Sequence, residues 1–448
     1  MFGLGDVVSM NILVINGSPK GKNSVTYQTI RFLQKKFPKD EFEVIHAGAT
    51  IVQLEHDMSA VCEAAERAEM ILFAYPVYTF IAPSQLHRFI SLLKEQDIDL
   101  KGKYATQITT SKHFYDVTAH RYIEDNCRDM GMKVIRGFSE DMSDLLGKVG
   151  QLQIITYWNY IKHIIEKENS IFVEERDNRR IKDKNRKYNI VIVTDCVKEN
   201  DRLRGMIIDF RKALPYASHV VNLQDFMFSG GCLGCFNCAA DGTCIYKDGF
   251  DEFLRKKIQR ADSIVYAFSI KDHSMGNLFK TYDDRQFCNG HRAVTMGKPT
   301  AYIIDGEFSR EENLQMILEG RTQVGGNFLA GIATNEGVGA DSPESCADKL
   351  AYALEHRIRI NENFYGVGGK KIFRDLVYEM QGMMQEDHRF YRRNRLYDFP
   401  QKKVGTIVFM KLVGLLMKLP QNKIKSKIKI TDGMLMPYER VIIGKNEL

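Results

Sequence analysis

The stretch Asn11-Ile12-Leu13-Val14-Ile15-Asn16-Gly17-Ser18-Pro19-Lys20-Gly21-Lys22-Asn23-Ser24-Val25-Thr26 decides the fold. It opens on a short apolar run, passes through a Gly/Ser-rich loop, and continues into a helical pattern carried by Tyr27, Ile30, Phe32 and Leu33. Such a run with no polar alternation reads as a strand buried on both faces, feeding a helix. Met70–Ala74 and Tyr104–Thr109 repeat the theme. Strands alternating with helical patterns predict a parallel sheet covered on both sides.

The pattern then starts again. Asn189–Val193 matches Asn11–Ile15 at an offset of 178, and Arg260–Ala267 matches Arg67–Ala74 at 193. Gly297-Lys298 matches Gly102-Lys103 at 195. The offset grows by 15 between the first two landmarks, which is the length of Gly230–Cys244. The sequence therefore predicts two copies of one doubly wound α/β fold, the second with a cysteine-rich insert. The expected boundaries are 10–165 for the first domain, 166–187 for a charged linker, 188–362 for the second domain and 363–448 for a helical C-terminal extension. Residues 1–9 read as a leader without fixed structure.

Composition agrees with a globular chain of several domains. The 448 residues are 44% hydrophobic and 27% charged, which excludes disorder and collagen-like structure. A net charge of +6 over this length is too diffuse for a nucleic-acid binder. Nine cysteines, an odd number with four crowded into Cys232–Cys244, do not form a secreted disulfide framework, and a reducing cytoplasm is expected. No apolar run reaches the roughly 18–20 residues of a membrane span.

The loop of the first copy has the composition of an anion cradle. A helix N-terminus presents unpaired N–H groups and partial positive charge. Ser18, Ser24 and Thr26 add hydroxyls, Asn23 an amide and Lys20 a charge. The loop is neither a Walker loop nor the dinucleotide Gly-x-Gly-x-x-Gly, so a single terminal phosphate suits it better than a pyrophosphate. Tyr75-Pro76-Val77-Tyr78 ends the strand that begins at Met70, and Thr109-Thr110-Ser111-Lys112-His113 ends the next. In doubly wound sheets ligands bind outside the carboxyl ends of the strands, where these three loops meet.

Gly-Ser-Pro-Lys followed by Asn-Ser-x-Thr, with Tyr-Pro-Val-Tyr further on, resembles the flavodoxin-like NAD(P)H-dependent FMN reductase superfamily over roughly residues 10–150. The resemblance implies that Ser18, Lys20, Asn23, Ser24 and Thr26 hold the FMN phosphate. It implies that Pro76, Val77 and Tyr78 line the isoalloxazine and ribityl chain, and that Ser111 and Lys112 contact the ring edge. NAD(P)H is then a transient co-substrate that stacks on the flavin, and no acid–base residue is required.

The second copy differs. Cys232, Cys235, Cys238 and Cys244 follow a C-x2-C-x2-C-x5-C spacing, and thiolates are the ligands iron–sulfur clusters require. A 4Fe–4S cluster, a cluster-free thiol or disulfide motif and structural zinc are all open, and zinc fits least because its sites usually split into two separated pairs. The spacing, Asp248–Asp251 and Lys280–Arg285 resemble the iron–sulfur flavoproteins of the same superfamily. The phosphate loop is replaced by Thr194–Asp201, where Asp195, Glu199 and Asp201 repel a phosphate. Ser269 stands in the place of Pro76 and Lys271 in that of Tyr78, so this copy is not expected to bind FMN in the usual pose. In the resembling families the flavin lies at a subunit interface, which implies an internal pseudo-dimer with the cluster facing the flavin.

The expected function is a flavin-dependent oxidoreductase passing electrons from NAD(P)H or a ferredoxin-like donor to a small-molecule or redox-protein acceptor. A non-catalytic electron carrier and a thiol-based redox sensor are the alternatives, and a homodimer can add to the internal pairing. In the C-terminal region His388 reads as a surface or capping residue. Val404–Leu419, with Lys411, Lys418 and the following Lys423, Lys425, Lys427 and Lys429, reads as a helix covering a domain junction, with membrane-surface attachment through 404–429 as the alternative.

Overall fold

A computed structural model of the chain describes residues 9–170, 184–337, 340–399, 404–417, 433 and 435–443. Most of the leader, the linker residues 174–183, Lys418 and the lysines from Lys423 to Lys429 lie outside them. The chain divides into two compact units, residues 1–155 with 397–448, and residues 156–396. Among the described residues no helix is long and apolar enough to cross a membrane.

The first unit holds a wholly parallel sheet. Its strands are β1 (Asn11–Asn16), β2 (Glu41–Ile45), β3 (Met70–Pro76), β4 (Tyr104–Ser111), β5 (Lys133–Val134) and β6 (Phe138–Asp141), in the order β2-β1-β3-β4-β5 with β6 also on β4. The last two are one interrupted fifth strand. Ala105 pairs with Val134 and Ile108 with Phe138, so one extra residue is accommodated between them. Buried apolar side chains on one face, such as Leu13, Ile15, Ile71 and Phe73, form a core with Leu86, Phe89, Ile90 and Leu93 of the helix Ser84–Lys94. C-terminal residues also dock here: Glu439 pairs with Arg31, and the Tyr438 hydroxyl donates to the Met142 carbonyl.

The second unit repeats the topology. Strands β7 (Asn185–Thr194), β8 (Tyr216–Asn222), β9 (Ser263–Ser269), β10 (Pro299–Asp305) and β11 (Phe328–Thr334) lie in the order β11-β10-β9-β7-β8. Numbered within each unit, both sheets run 2-1-3-4-5, the flavodoxin-like order. The registers confirm the sequence offsets. Ile12 faces Met70 as Ile190 faces Ser263, and Ile71 faces Ala105 as Ile264 faces Thr300.

Small details recur as well. The Asn11 N–H donates to Glu69 at 3.1 Å and the Asn189 N–H to Asp262 at 2.8 Å. Lys103 reaches the Glu66 and Ala68 carbonyls, and Lys298 those of Gln259 and Ala261. At the second strand the offset is 176, since Ile12 faces Phe42 and Ile190 faces Ser218. The insertion between β8 and β9 is therefore 17 residues rather than 15, two being lost earlier.

Candidate functional site

The loop after β1 is fixed by its own polar groups. The Asn16 side chain donates to the Gly21 carbonyl at 2.9 Å and accepts from the Ser18 N–H at 3.2 Å. Ser18 in turn accepts from the Lys20 N–H at 3.3 Å. Ser24 caps the helix Val25–Lys36 by accepting from the Tyr27 N–H at 3.0 Å. Gly21 sits at φ +52°, and a side chain on Gly48 would come within 2.4 Å of the Gly17 carbonyl, so both positions need glycine.

Ser18, Ser24 and Thr26 are buried, whereas Lys20 and Asn23 are exposed. The buried Thr26 hydroxyl has no hydrogen-bond partner. A buried unpaired hydroxyl beside the positive end of a twelve-residue helix is what an incoming phosphate oxygen would satisfy. The donor set therefore fits a terminal phosphate.

The loops after β3 and β4 lie at the same sheet edge. Tyr75 is fully buried, its hydroxyl donating to Gln107 at 2.6 Å and lying 2.9 Å from the Ala119 carbonyl. It is a core residue and not part of a ring-binding surface. Pro76 and Val77 are half-buried and Tyr78 is 40% exposed. Tyr78 and Ile81 exchange backbone hydrogen bonds around Thr79 and Phe80, both in left-handed backbone conformation.

His113 and Tyr115 share that strained conformation, and Phe80 packs on Phe114 and Tyr115 at 5.1 and 4.7 Å. Four strained non-glycine residues at one edge are costly unless the surroundings hold them, and such strain gathers at ligand clamps. Sequence reading did not single out Phe80, Phe114 or Tyr115, since strain leaves no mark in composition. Ser111 accepts from the His113 N–H at 2.8 Å, and Lys112 forms an ion pair with Asp141 at 2.7 Å.

The equivalent edge of the second sheet is closed by its own side chains. Asp195 is buried, which raises its pKa, with partial relief from Lys271 3.8 Å away. Asn200 caps the helix Asp201–Ala213 and donates to Ser269 at 2.7 Å and to Asp305 at 3.2 Å. The turn Lys271–Ser274 keeps the shape of Tyr78–Ile81, with Asp272 and His273 in left-handed conformation, but carries no Tyr or Phe. Asp195 stands in the place of Gly17 and Asp305 in that of Thr110, so two carboxylates face an edge that carries none of its own at those positions in the first copy.

Cys232, Cys235, Cys238 and Cys244 all line one small pocket of about 60 Å³, together with Arg285, Cys288 and His291. Arg285 ties down both ends of the insert. Its buried guanidinium pairs with both Asp248 oxygens at 2.8 Å and donates to the Gly230 carbonyl at 2.9 Å, holding Asp248 far below the usual carboxylate range. Tyr246 stacks on the same guanidinium at 4.4 Å. Gly234 and Phe236 adopt positive φ, which wraps the chain.

Burial raises the Cys238 thiol, opposed by the Gly290 N–H and Arg292. Cys288 is buried, its thiol pushed up to about 12, and its carbonyl accepts from Arg255 and Arg292. Four thiols around one pocket, with three guanidinium groups nearby, suit a thiolate-ligated cluster. Among the described residues no three His, Cys, Asp or Glu side chains are close enough to share a single metal ion.

Comparison with known proteins bears on this geometry. Residues 10–140 match the family of NADPH-dependent FMN reductases. An iron–sulfur flavoprotein of Archaeoglobus fulgidus is 24% identical over 170 residues, covering 36% of this chain and 77% of the relative. Among solved structures, an NADPH-quinone reductase of P. pentosaceus is 14% identical over 34% of this chain and 98% of its own, with a TM-score of 0.28. An FMN-dependent NADH-azoreductase of Bacillus anthracis is 15% identical over 36% of this chain and 99% of its own, with a TM-score of 0.26. The loop after β1 and the exposed Tyr78 fall inside the matched segment, so the likeness to NADPH-dependent FMN reductases is confined to residues 10–140 of the first unit.

Proposed function

We propose that the first domain binds FMN at the carboxyl edge of its sheet and exchanges electrons there with NAD(P)H, while the cysteine insert of the second domain holds a 4Fe–4S cluster. The observation that carries the flavin reading is the buried, unpartnered Thr26 hydroxyl at the mouth of the phosphate loop. Ser18, Ser24 and Thr26 hold the phosphate by hydrogen bonds, and exposed Lys20 and Asn23 close over it. Pro76, Val77 and Tyr78 offer a flat, partly apolar surface to the ring, and Ser111 a hydroxyl to its edge. Lys112 shares its charge with Asp141 and stays close to the ring edge.

When bound, FMN supplies hydride and single-electron chemistry, and the protein's part is to orient and shield it. A cluster would supply one-electron transfer, held by Cys232, Cys235, Cys238 and Cys244, with Arg292 favouring the Cys238 thiolate. The second domain takes no FMN, because the buried carboxylates of Asp195 and Asp305 at that sheet edge would repel a phosphate.

Anaerobic reconstitution with FMN, iron and sulfide tests each part. One FMN per chain is expected, lost in Ser24→Glu, with iron and sulfide near four per chain. Absence of FMN binding refutes the flavin reading, and absence of iron refutes the cluster. FMN binding without oxidation of either NADH or NADPH identifies a carrier and refutes the enzyme.

A further inference from the structure

The second unit contains a cavity of about 550 Å³ between β9, β10 and the helices Gly276–Arg285 and Glu312–Val324. In the first unit the same space is closed core. The shared registers align the two copies residue by residue. Ile90, Leu93, Ala105, Cys127 and Met132 belong to the buried apolar cluster of the first unit. Their equivalents at offsets of 193 and 195 are Asp283, Gln286, Thr300, Thr322 and Asn327, and all five line the cavity. Four of these polar groups are satisfied within the protein, Thr300 by the Ile264 carbonyl, Thr322 by the Leu318 carbonyl, Asn327 by Thr295 and Asp283 by Arg321, so the cavity is lined by polar side chains at no cost in unpaired groups.

We propose that this cavity is a binding site for a neutral, planar aromatic molecule with carbonyl acceptors, of the quinone class. Its walls are aromatic, with the rings of Tyr266 and Tyr302 stacked at 5.3 Å and Phe279 beside Tyr266. Among its polar side chains the Gln286 amide offers a donor to a carbonyl oxygen, whereas the Thr300 and Thr322 hydroxyls donate to the Ile264 and Leu318 carbonyls at 2.8 and 2.9 Å. Its cations are already paired: Arg321 with Asp283, Arg292 with Asp387, and Lys370 with Glu362. No charge is left over for an anionic ligand.

Arg321 shows that the void reaches inward. Desolvation lowers its pKa, yet 40% of its side chain remains accessible because it faces the cavity. Phe287, Met296 and Ile317 form an exposed apolar rim. The volume lies in the range of small-molecule sites. Phe287, Gly290 and His291 border both this cavity and the cysteine pocket, so the ligand lies beside the thiols.

The inference concerns the second unit alone and needs no FMN. The test is isothermal titration of the full chain with 2-methyl-1,4-naphthoquinone. Saturable binding of one molecule per chain is expected, unchanged in Ser24→Glu. Ala293→Trp, which fills the cavity, is expected to weaken it at least tenfold. Gln286→Leu/Asn327→Met, which restores the first copy's apolar residues, should do the same and decides the matter if Ala293→Trp does not fold. No binding to the wild type, loss of binding in Ser24→Glu, or full binding by the double variant overturns the proposal.

Discussion

Thr26→Val separates a ligand-binding hydroxyl from a structural one, because the two roles predict opposite signs. The Thr26 hydroxyl is buried at the start of the helix Val25–Lys36 and has no partner. A buried hydroxyl without a partner costs about 1–3 kcal/mol. Valine has nearly the same shape and a similar helix propensity, so it removes that cost and adds little. The FMN-free protein should therefore gain about 1 kcal/mol.

The flavin complex should lose a hydrogen bond to a charged oxygen, about 1.5–3 kcal/mol. At 1.4 kcal/mol per factor of ten, the Kd for FMN rises by roughly 10–100-fold. Urea unfolding of the FMN-free protein gives the first quantity and quenching of FMN fluorescence the second. A variant that is less stable and binds FMN normally would show that the hydroxyl serves the fold, and the phosphate-loop argument would fail.

Three further outcomes follow from other groups. Burial raises Glu140 from 4.5 to about 8, against the opposing hydrogen bond from Thr29, so the folded protein holds a proton that the unfolded chain releases. This group's contribution is full below about pH 4.5 and falls as pH rises toward 8, by about 1.4 kcal/mol per unit. The stability of Glu140→Gln relative to wild type should climb at that rate between pH 5 and 8, and a flat difference in urea unfolding would refute the assignment. Arg285→Lys keeps the charge but not the two-pronged bond to Asp248; a loss of about 2 kcal/mol and faster tryptic cleavage at Lys247 are expected, checked by unfolding and mass spectrometry. Iron analysis should show Cys238→Ser losing iron and Cys288→Ala retaining it, since Cys288 is buried with its thiol raised to about 12.

Much of this architecture was legible because strands buried on both faces leave uninterrupted apolar runs. Asn11–Ile15 and Asn189–Val193 are such runs, and their common offsets survive in the sheet registers. The capped loop after β1 was legible for a related reason: helix caps and close backbone approaches need Ser, Asn and Gly at fixed places. The insert length was misjudged because the two residues lost before β8 are visible only in the pairing of Ile190 with Ser218. The direction of Tyr75 was not legible for the same kind of reason. An aromatic at a strand end can face the ligand edge or the core, and the hydrogen bond to Gln107 that settles its direction comes from a strand thirty residues away. The strained turns around Phe80 and Tyr115 had no signal at all, since neither residue type favours positive φ.

The deeper reason for these gaps is that a duplicated fold is constrained by its shared features and free in the rest. Both copies keep the lysine that ties two carbonyls before the fourth strand, and both keep the Tyr78-type turn. Those contacts hold the scaffold and cannot drift. The loop chemistry above the sheet can, because it carries little of the folding energy. In the first copy it retained hydroxyls and an aromatic; in the second it acquired Asp195 and Lys271, which satisfy one another at 3.8 Å. A buried carboxylate is tolerated only with a partner, so once Asp195 entered, the partner had to come from the turn where an aromatic stood. Asp195 and Lys271 therefore depend on one another, so Lys271→Tyr alone should leave Asp195 without its cation and is expected to yield no flavin binding by the second unit, as checked by FMN fluorescence quenching.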